Sequence, residues 1–519
     1  MNPQLSTEEQ ENLMEIFKSK NVIYTHYLPD IDNDVKHDTD VKLSTFYVAI
    51  SSFLKSPLNE TVKGESGVGK TFGIKQVLSY FPQDKIHYIG SESPTAFYHD
   101  NGVLMNKEGK PINLDDEPIK PIKKAFPNPD DFEAAKATYL KAKKEWNKVI
   151  NESYLEIDLS HRIMFFLDVE SEGFKKLLPV LSHDNETIEF NFTDKGTNGL
   201  KTKKVRTKGF PCAIFAMTER DMGKRENERA TRQAFCVSPE DTEEKVRDAN
   251  KAKAQEIKWE IKRERPTKTK LRELLRSIRD IFISEKYEVQ IPFLNLNELY
   301  PNSEIRNMRG FCQFKDAIEA NTALHIHQRV IVEFDGTKYV LSSIQDVEMI
   351  VDLFSKLYES TGSNMDASLL KFYWDYCILF ISDGTLFVDG FTVNDMLDRY
   401  NTVNKKKIPR TSMNTKLNLL YKKGYLDKCR DSFNNKQFRY IPLKTKKEEL
   451  TPTNNTNYEI VLSTRLLLET GLKIFFNHVT VDSKFYILKK DGTDQFEEIE
   501  ISRQEAEEII LCKNTLLKS

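Results

Sequence analysis

The chain has 519 residues, of which 39% are hydrophobic and 30% charged, with a formal net charge of −2. This length predicts three or four domains, and the composition suits a charge-rich protein with several apolar cores. No apolar run reaches the roughly 18 residues that a membrane-spanning helix needs. The polar, acidic first residues do not resemble a secretory signal. We therefore expect a cytoplasmic protein with no membrane partner.

The six cysteines are scattered and include no C-x-x-C pair. This spacing argues against a zinc site and against a disulfide framework, and it suits a reducing compartment. The net charge gives no argument for nucleic acid, so a surface that binds it must come from local clusters of Lys and Arg.

The hydrophobic pattern divides the chain into five parts. Residues 1–58 are predicted to be an N-terminal helical segment, with an apolar helix over 43–54. The other parts are an α/β core (59–240), a helical lid and linker (241–360), a compact unit of helices and a hairpin (361–445) and a small α+β tail (446–519). Within the tail, 457–462 and 484–488 are predicted strands and 502–511 a helix.

The core begins with the pattern G-x-x-x-x-G-K-T at residues 64–71. Glycines let backbone N–H groups turn inward around phosphates, while the lysine reaches the β- and γ-phosphates and the threonine holds Mg²⁺. A helix over 71–81 would point its N-terminal dipole at the anion. The sequence thus predicts a site for ATP and Mg²⁺ formed by Gly64, Glu65, Ser66, Gly67, Val68, Gly69, Lys70, Thr71 and Phe72. The alternative is a chance match inside a loop, and the preceding ETVK is polar for a buried strand.

A helical insertion is predicted near residues 128–151. Asn128 followed by Pro129 is a typical helix start. Six apolar or aromatic residues then follow alternating three- and four-residue spacing, which is a heptad seam. They are Phe132, Ala135, Tyr139, Ala142, Trp146 and Val149. The helix either lies on its own domain or forms a coiled-coil arm that contacts a neighbouring subunit.

Residues 163–168 (IMFFLD) are predicted to be a buried strand that ends in a carboxylate. Asp168 is the candidate to hold Mg²⁺ through water. The next residue is Val169 rather than a second acid, and alternation along a strand places Glu170 on the side of Asp168. Glu170 is therefore the candidate base that polarises the attacking water. The alternative is a solvated glutamate beyond the end of the strand.

Two regions carry candidate DNA contacts, because Lys and Arg neutralise backbone phosphates. The first is a hairpin over 187–210, whose second strand is basic; the alternative there is a solvated face. The second is residues 391–440, which resemble a winged helix with a recognition helix over 409–423, although winged helices also bind proteins. The DNA-binding candidates are Lys201, Lys203, Lys204, Arg206, Arg410, Asn414 and Lys416.

In chain order the features are a phosphate loop, an acidic strand end, a basic hairpin, a second buried strand (212–217) ending at Thr218, and an arginine-rich segment. This order resembles the AAA+ ATPases, and within them the minichromosome maintenance (MCM)-like helicases, including those of mobile genetic elements. Residues 93–100 resemble the family's Thr-Ala segment before its helix-2 insert, 102–114 resemble a hairpin at that insert, and 187–210 resemble its pre-sensor-1 hairpin. Arg309, ten residues before Glu319, resembles its sensor-2 arginine. The resemblance covers roughly residues 45–330.

The resemblance implies an α/β fold with an AAA+ P-loop core, a helical lid, a C-terminal winged-helix domain and a small α+β tail. It also implies a homo-oligomeric ring, usually a hexamer, with ATP shared between subunits. Lys70, Asp168, Glu170 and Thr218 would then be catalytic in one subunit. Arg232 would act from its neighbour and Arg309 in either. For each arginine the alternative is a surface ion pair.

Two functions are consistent with these features. One is an ATP-driven DNA helicase or replication initiator that moves its pore hairpins along DNA. The other is an ATP-controlled DNA-binding or regulatory switch without translocation, which the missing second acid after Asp168 favours. A role of the tail in recruiting partners is a third possibility.

Overall fold

The computed structural model describes residues 16, 19, 21–90, 102–126, 128–167, 187–196, 199–217, 233–255, 264–300, 307–363, 367–378, 390–404, 407–422, 424–430, 437–443, 458–479, 483–490 and 496–512. The α-helices in these ranges are α1 (Leu28–Ile31), α2 (Thr39–Ser51), α3 (Lys70–Leu78), α4 (Pro129–Glu152), α5 (Glu243–Ala254), α6 (Pro266–Ser284), α7 (Asn307–Leu324), α8 (Ile344–Ser363), α9 (Ala367–Phe372), α10 (Val393–Val403), α11 (Arg410–Lys422), α12 (Tyr458–His478) and α13 (Arg503–Ile510).

The strands in the same ranges form four sheets. They are β1 (Asn59–Lys63), β2 (Ile86–Ile89), β3 (Val103–Met105), β4 (Tyr154–Asp158), β5 (Ile163–Phe166), β6 (Thr187–Gly196), β7 (Gly199–Lys208), β8 (Cys212–Met217), β9 (Gln233–Val237), β10 (Glu288–Gln290), β11 (Val330–Phe334), β12 (Thr337–Leu341), β13 (Phe391–Thr392), β14 (Leu426–Arg430), β15 (Phe438–Pro442), β16 (Phe485–Lys490) and β17 (Phe496–Ile501).

The central sheet has five parallel strands in the order β2-β5-β8-β1-β9. Lys63 at the end of β1 lies opposite Met217 at the end of β8, and Phe166 on β5 lies opposite Phe215. Parallel strands direct their carboxyl ends to one edge of a sheet, which is where ligands of open α/β sheets bind. The segments that follow β1, β5 and β8 therefore all begin at the same edge.

The local helix signals in the core are confirmed. Helix α3 follows the glycine loop and buries Ile74, Val77 and Leu78. Helix α4 begins at Pro129, and the side chain of Asn128 accepts a hydrogen bond from the backbone of Asp130 at 3.2 Å. Helix α4 is described throughout, and none of its residues is buried.

Helix α4 contacts the segment that precedes it in the chain, and the first residue of its heptad seam takes part. The rings of Phe126 and Phe132 lie 5.9 Å apart, and Lys143 forms an ion pair with Glu117. The seam is half-buried from Phe132 to Trp146, whereas Leu140 on the other side of the helix is exposed. The helix therefore has a local partner within its own chain.

Strand β1 is fully buried although its sequence is polar. Two of its polar side chains are hydrogen-bonded: Asn59 Oδ1 accepts from the backbone of Ala213 at 2.8 Å, and the Glu60 carboxyl accepts from the hydroxyls of Ser44 and Thr45 on α2. Burial raises the pKa of Glu60 from 4.5 to about 7. The strand is thus stabilised by a polar contact with α2 as well as by packing.

The buried carboxyl of Glu60 gives a testable dependence of stability on pH. Because the folded-state pKa is raised, the neutral carboxyl stabilises the fold fully below about pH 4.5, and this contribution is lost as pH rises through about 7. In wild type the free energy of unfolding should therefore fall by about 3 kcal/mol as pH rises, at roughly 1.4 kcal/mol per pKa unit. We expect Glu60→Gln not to show this fall, because glutamine does not ionise.

Urea unfolding between pH 5 and pH 8 measures the effect, and Glu243→Gln, at an exposed position in the first turn of α5, is the matched control. The same pH dependence in wild type and Glu60→Gln would contradict the assignment.

The predicted hairpin over 187–210 is confirmed as β6 and β7. It forms a four-stranded sheet in the order β3-β4-β7-β6, in which β4 and β7 are parallel. Residues 102–114 also contain a short hairpin, since Met105 bridges Pro111 and Asn106 N donates to Lys110 O at 2.9 Å. Both predicted hairpins therefore belong to one sheet beside the core.

The predicted lid and the C-terminal tail share a five-stranded sheet in the order β10-β12-β11-β16-β17. Tail strand β16 pairs antiparallel with β11, with Ile487 opposite Val330. The prediction of a strand over 457–462 is wrong, because helix α12 begins at Tyr458 and its buried Leu468, Leu472 and Phe476 follow helical spacing. The strand expected near 484–488 and the helix over 502–511 are confirmed as β16 and α13.

The unit over 390–443 contains α10, α11 and a three-stranded antiparallel sheet in the order β13-β15-β14. Thr392 and Asp395 form a reciprocal capping box at the start of α10. Met413, Leu417 and Leu420 of α11 are buried, as their helical spacing predicts.

In the part of the chain that the structure describes, every helix is too short or too polar to span a membrane.

Candidate nucleotide-binding site

The glycine loop between β1 and α3 has the backbone that its sequence predicts. Gly67 and Gly69 have φ values of 92° and 94°, in the left-handed region that favours glycine. A Cβ atom at either position would meet nothing within 4 Å, so the backbone conformation rather than crowding requires glycine there. Gly69 caps α3, whose first turn directs its N–H groups toward the loop.

Lys70 lies in the first turn of α3 with its side chain turned back over the loop. It is 9% exposed, and its ammonium donates to the carbonyl oxygens of Gly64 at 2.6 Å and Glu65 at 2.7 Å. Thr71 next to it is half-buried and Phe72 is exposed. A cation, a helix N-terminus and a hydroxyl are thereby placed around one concave loop, which suits a phosphate group and its metal ion.

The far end of α3 is held by a row of cationic side chains on α6. Arg272 donates to the carbonyl oxygen of Ser79 at 2.5 Å. Ser79 follows the last residue of α3, and the dipole of a helix favours cations at its C-terminus. Arg279 pairs with Asp84 at 2.8 Å, and the Lys268 ammonium lies 4.9 Å from the centre of the Tyr80 ring. The phosphate-loop helix is thus fixed to the predicted lid.

Arg265, immediately before α6, adds three further contacts. Its guanidinium pairs with Asp34 at 2.6 Å and with Asp30 at 2.9 Å, and it donates to the hydroxyl of Tyr80 at 3.2 Å. These contacts connect the predicted N-terminal segment, the predicted lid and the end of the loop helix.

The remaining predicted catalytic residues are only partly placed. Asp168, Glu170, Thr218 and Arg232 lie outside the described residues. Asp168 follows Leu167 and Thr218 follows Met217, and the strands β5 and β8 that lead to them end at the edge of the sheet that carries the loop. Arg309 lies in the first turn of α7, and its side chain lies outside the described part.

The basic strand β7 is paired with acidic residues on its neighbours. Glu189 on β6 contacts Lys204 at 2.5 Å and Arg206 at 2.6 Å, and these two cations lower the pKa of its carboxyl. The Arg206 guanidinium also lies 4.6 Å from the centre of the Tyr154 ring. For Lys201 and Lys203, nearer the hairpin tip, only the backbone is described.

The C-terminal unit separates its three predicted DNA contacts. Arg410 and Asn414 line a cavity of about 300 Å³, together with Phe438 on β15. Lys416 faces another way, with its ammonium 5.7 Å from the centre of the Phe372 ring. Lys428 was not singled out from the sequence; its ammonium donates to Asn418 at 2.7 Å and lies over three aromatic rings.

A glycine loop that joins a parallel strand to a helix, with a lysine turned into it, is an arrangement that binds phosphate groups.

No protein-family model matches this sequence, and no curated protein matches it. Among solved structures, the chain is similar to the Aeropyrum pernix Orc1 protein in complex with DNA, at 10% identity over 85% of this chain and 92% of that chain. The TM-score is 0.23, so this similarity carries no argument about fold or function.

Proposed function

We propose that this protein is an ATP-driven AAA+ motor on DNA, a helicase or replication initiator that forms a ring and resembles the MCM-like helicases. The observation that carries the proposal is the loop geometry: Lys70 is turned into a glycine loop at the carboxyl edge of a parallel sheet. The strands expected to carry Asp168 and Thr218 end at that same edge. One site would therefore receive the phosphates, the metal ion and the attacking water.

Each part of the site would have one task. Backbone N–H groups of the loop and the Lys70 ammonium would hold the β- and γ-phosphates, and Thr71 with Asp168 would hold Mg²⁺. The bound Mg²⁺ would supply charge stabilisation for phosphoryl transfer. Glu170 would polarise the attacking water and Thr218 would orient it. Arg232 would reach the γ-phosphate from the neighbouring subunit, which is why a ring, usually a hexamer, is part of the proposal.

Two surfaces support DNA as the partner. The sheet β3-β4-β7-β6 lies beside the core and ends in a hairpin whose second strand carries Lys201 and Lys203. The unit over 390–443 combines α10 and α11 with a three-stranded antiparallel sheet, which supports the proposal of a winged helix, and its Arg410 and Asn414 line one cavity. Cations on both surfaces would neutralise backbone phosphates, so binding should weaken as salt rises.

A strand-separation assay tests the motor function. We expect wild-type protein with ATP and Mg²⁺ to separate forked DNA, and we expect Lys70→Ala to abolish separation while still binding DNA at low salt. Electron microscopy of the protein with DNA and a slowly hydrolysed ATP analogue would test the ring. ATP hydrolysis that is indifferent to DNA, together with no strand separation at low salt, would contradict the proposal.

The second candidate is an ATP-controlled DNA-binding or regulatory switch that does not translocate. Two observations favour it: Val169 stands where a second acid would follow Asp168, and Lys204 and Arg206 are already paired with Glu189. A switch would show slow hydrolysis, with ATP changing its DNA affinity or assembly, and no strand separation.

A further inference from the structure

A lysine outside the phosphate-loop motif contacts the apex of that loop. Lys245 in the first turn of α5 donates to the backbone carbonyl oxygen of Val68 at 3.0 Å. The same ammonium contacts both carboxylate oxygens of Asp38, at 2.7 Å and 2.6 Å. The lysine side chain is 15% exposed and the aspartate 5%, so this contact is largely shielded from water.

The position of Lys245 is unusual for a cation. The N-terminus of a helix carries partial positive charge, which disfavours lysine there. Lys245 donates its backbone N–H to the capping hydroxyl of Thr242 at 3.2 Å and is therefore in that first turn. The carboxylate of Asp38 compensates for this unfavourable position and directs the ammonium toward the loop.

Asp38 is itself fixed by its backbone and its neighbours. It exchanges two hydrogen bonds with Glu240, whose backbone N–H lies 2.7 Å from the Asp38 carboxylate and whose own carboxylate accepts from the Asp38 backbone at 3.0 Å. His37 and Asp38 both have positive φ, 63° and 56°, which costs conformational energy in residues other than glycine. Backbone strain of this kind persists only where surrounding contacts stabilise it. Here the contacts with Glu240 stabilise it and keep the Asp38 carboxylate beside the loop.

We infer that Lys245, held by Asp38, is a positioning residue for the phosphate loop: it fixes the apex of the loop at Val68 in the shape that receives nucleotide. The inference rests on the proposed ATP site. Val68 lies two residues before Lys70. If the loop moved at Val68, the backbone N–H groups that would face the phosphates would move with it. The sequence separations are 177 residues to Val68 and 207 to Asp38, so nothing local in the sequence connects these residues.

The test is the affinity of full-length protein for a fluorescent ATP analogue, with Mg²⁺. Loss of a hydrogen bond from a charged donor should weaken binding by about tenfold in Lys245→Met. The rate constant kcat at saturating ATP should stay close to that of wild type, because Lys245 does not touch the reacting groups. Lys251→Met is the matched control, since Lys251 is an exposed lysine on the same helix.

Asp38→Asn provides a second variant that keeps the side-chain shape but removes the charge. It should weaken nucleotide binding in the same direction. If Lys245 and Asp38 act together, the double variant Lys245→Met with Asp38→Asn should bind the nucleotide as tightly as the single variant with the larger loss. The losses of binding free energy from two residues in contact do not simply add. The rise in melting temperature on adding the nucleotide should shrink in parallel with affinity, which checks binding in any variant of lower stability.

Two outcomes overturn the inference in distinguishable ways. Unchanged affinity in Lys245→Met, while Lys70→Ala abolishes binding, would leave the ATP site in place and refute the role of Lys245. A lower melting temperature with unchanged affinity would likewise show a merely structural contact. Unchanged affinity in both Lys245→Met and Lys70→Ala would refute the inference and the proposed ATP site together.

Discussion

Lys70→Ala is expected to lower the rate of ATP hydrolysis by about 100-fold or more. This is the typical effect of removing one hydrogen-bond donor that stabilises the negative charge developing in the transition state. In this protein the donor is already in place, since the Lys70 ammonium is held over the loop by the carbonyl oxygens of Gly64 and Glu65. Phosphate release at saturating ATP and Mg²⁺ measures the effect.

The matched control for this change is Lys75→Ala. Lys75 is an exposed lysine on the same helix, and its ammonium lies 5.7 Å from the centre of the Tyr88 ring, away from the loop. We expect this variant to hydrolyse ATP like wild type. Both variants should keep the far-ultraviolet circular dichroism spectrum, because neither removes apolar core. Equal rates in Lys70→Ala and wild type would show that the glycine loop is not the site of hydrolysis.

Local sequence signals predicted the elements that position this site. The glycine spacing identified the loop and the helix that follows it, and the cap at Asn128 marked a helix start that the structure contains. These signals are reliable because helix caps and one-sided apolar spacing act within a few residues. The hairpin over 187–210 belongs to the same class of local feature.

Features that depend on distant partners were not visible in the sequence. The polar strand β1 is buried because Ser44 and Thr45, on a helix that precedes it, bind Glu60. The tail pairs with β11 in the middle of the chain, which no periodicity signals. Residues 457–462 alternate locally like a strand, but tertiary packing of Leu468 and Leu472 continues one helix through them. Tertiary context overrides local propensity in the first and third cases, and in the second it selects the partner of a strand that local propensity predicts.

The same reasoning explains why Lys245 was missed at the site. It belongs to a charged segment that is mostly solvated, and its role depends on Asp38 and Val68, which the chain brings to it only on folding. A basic residue at the third position of a helix, where the dipole disfavours it, is the one sequence signal that could have drawn attention to it.

Helix α2 connects β1, the strand that leads into the glycine loop, to the predicted lid by buried hydrogen bonds. It holds Glu60 of β1 at one point, and farther along the hydroxyl of Tyr47 donates to Asn321 Oδ1 on α7 at 3.2 Å. Asn321 in turn donates to the carboxylate of Asp346 on α8 at 2.7 Å. The stability of this connection therefore depends on the fully buried Asp346.

Asp346 is held ionised by Arg329. Burial alone would raise the pKa of Asp346, but the guanidinium of Arg329, at 2.6 Å and 2.7 Å from its two oxygens, brings that pKa below the ordinary 3.8. The backbone N–H of Ser343 donates to the same carboxylate at 2.8 Å. Burial, together with the same guanidinium, lowers the pKa of the nearby His325 to about 4, so its imidazole is neutral at pH 7.

Asp346→Asn is expected to lower the free energy of unfolding by about 3–5 kcal/mol, because it leaves the buried Arg329 without a counter-charge. Urea unfolding at pH 7 measures this loss. The stabilisation by the Asp346 carboxylate is fully present above its ordinary pKa of 3.8 and is lost as pH falls through the lowered folded-state pKa, so the two proteins should converge only below that lowered pKa.

The control for this prediction is a more exposed ion pair, formed by a carboxylate two residues further along α8. Glu348 pairs with Arg465 at 2.7 Å, and Glu348→Gln should cost at most about 1 kcal/mol. Replacing both buried partners, as Arg329→Met with Asp346→Leu, should recover much of the stability, since apolar groups can replace a buried pair. Equal destabilisation by Asp346→Asn and Glu348→Gln would mean that the buried pair contributes no more than a surface pair. The connection from α2 to α8 would then depend on apolar packing alone.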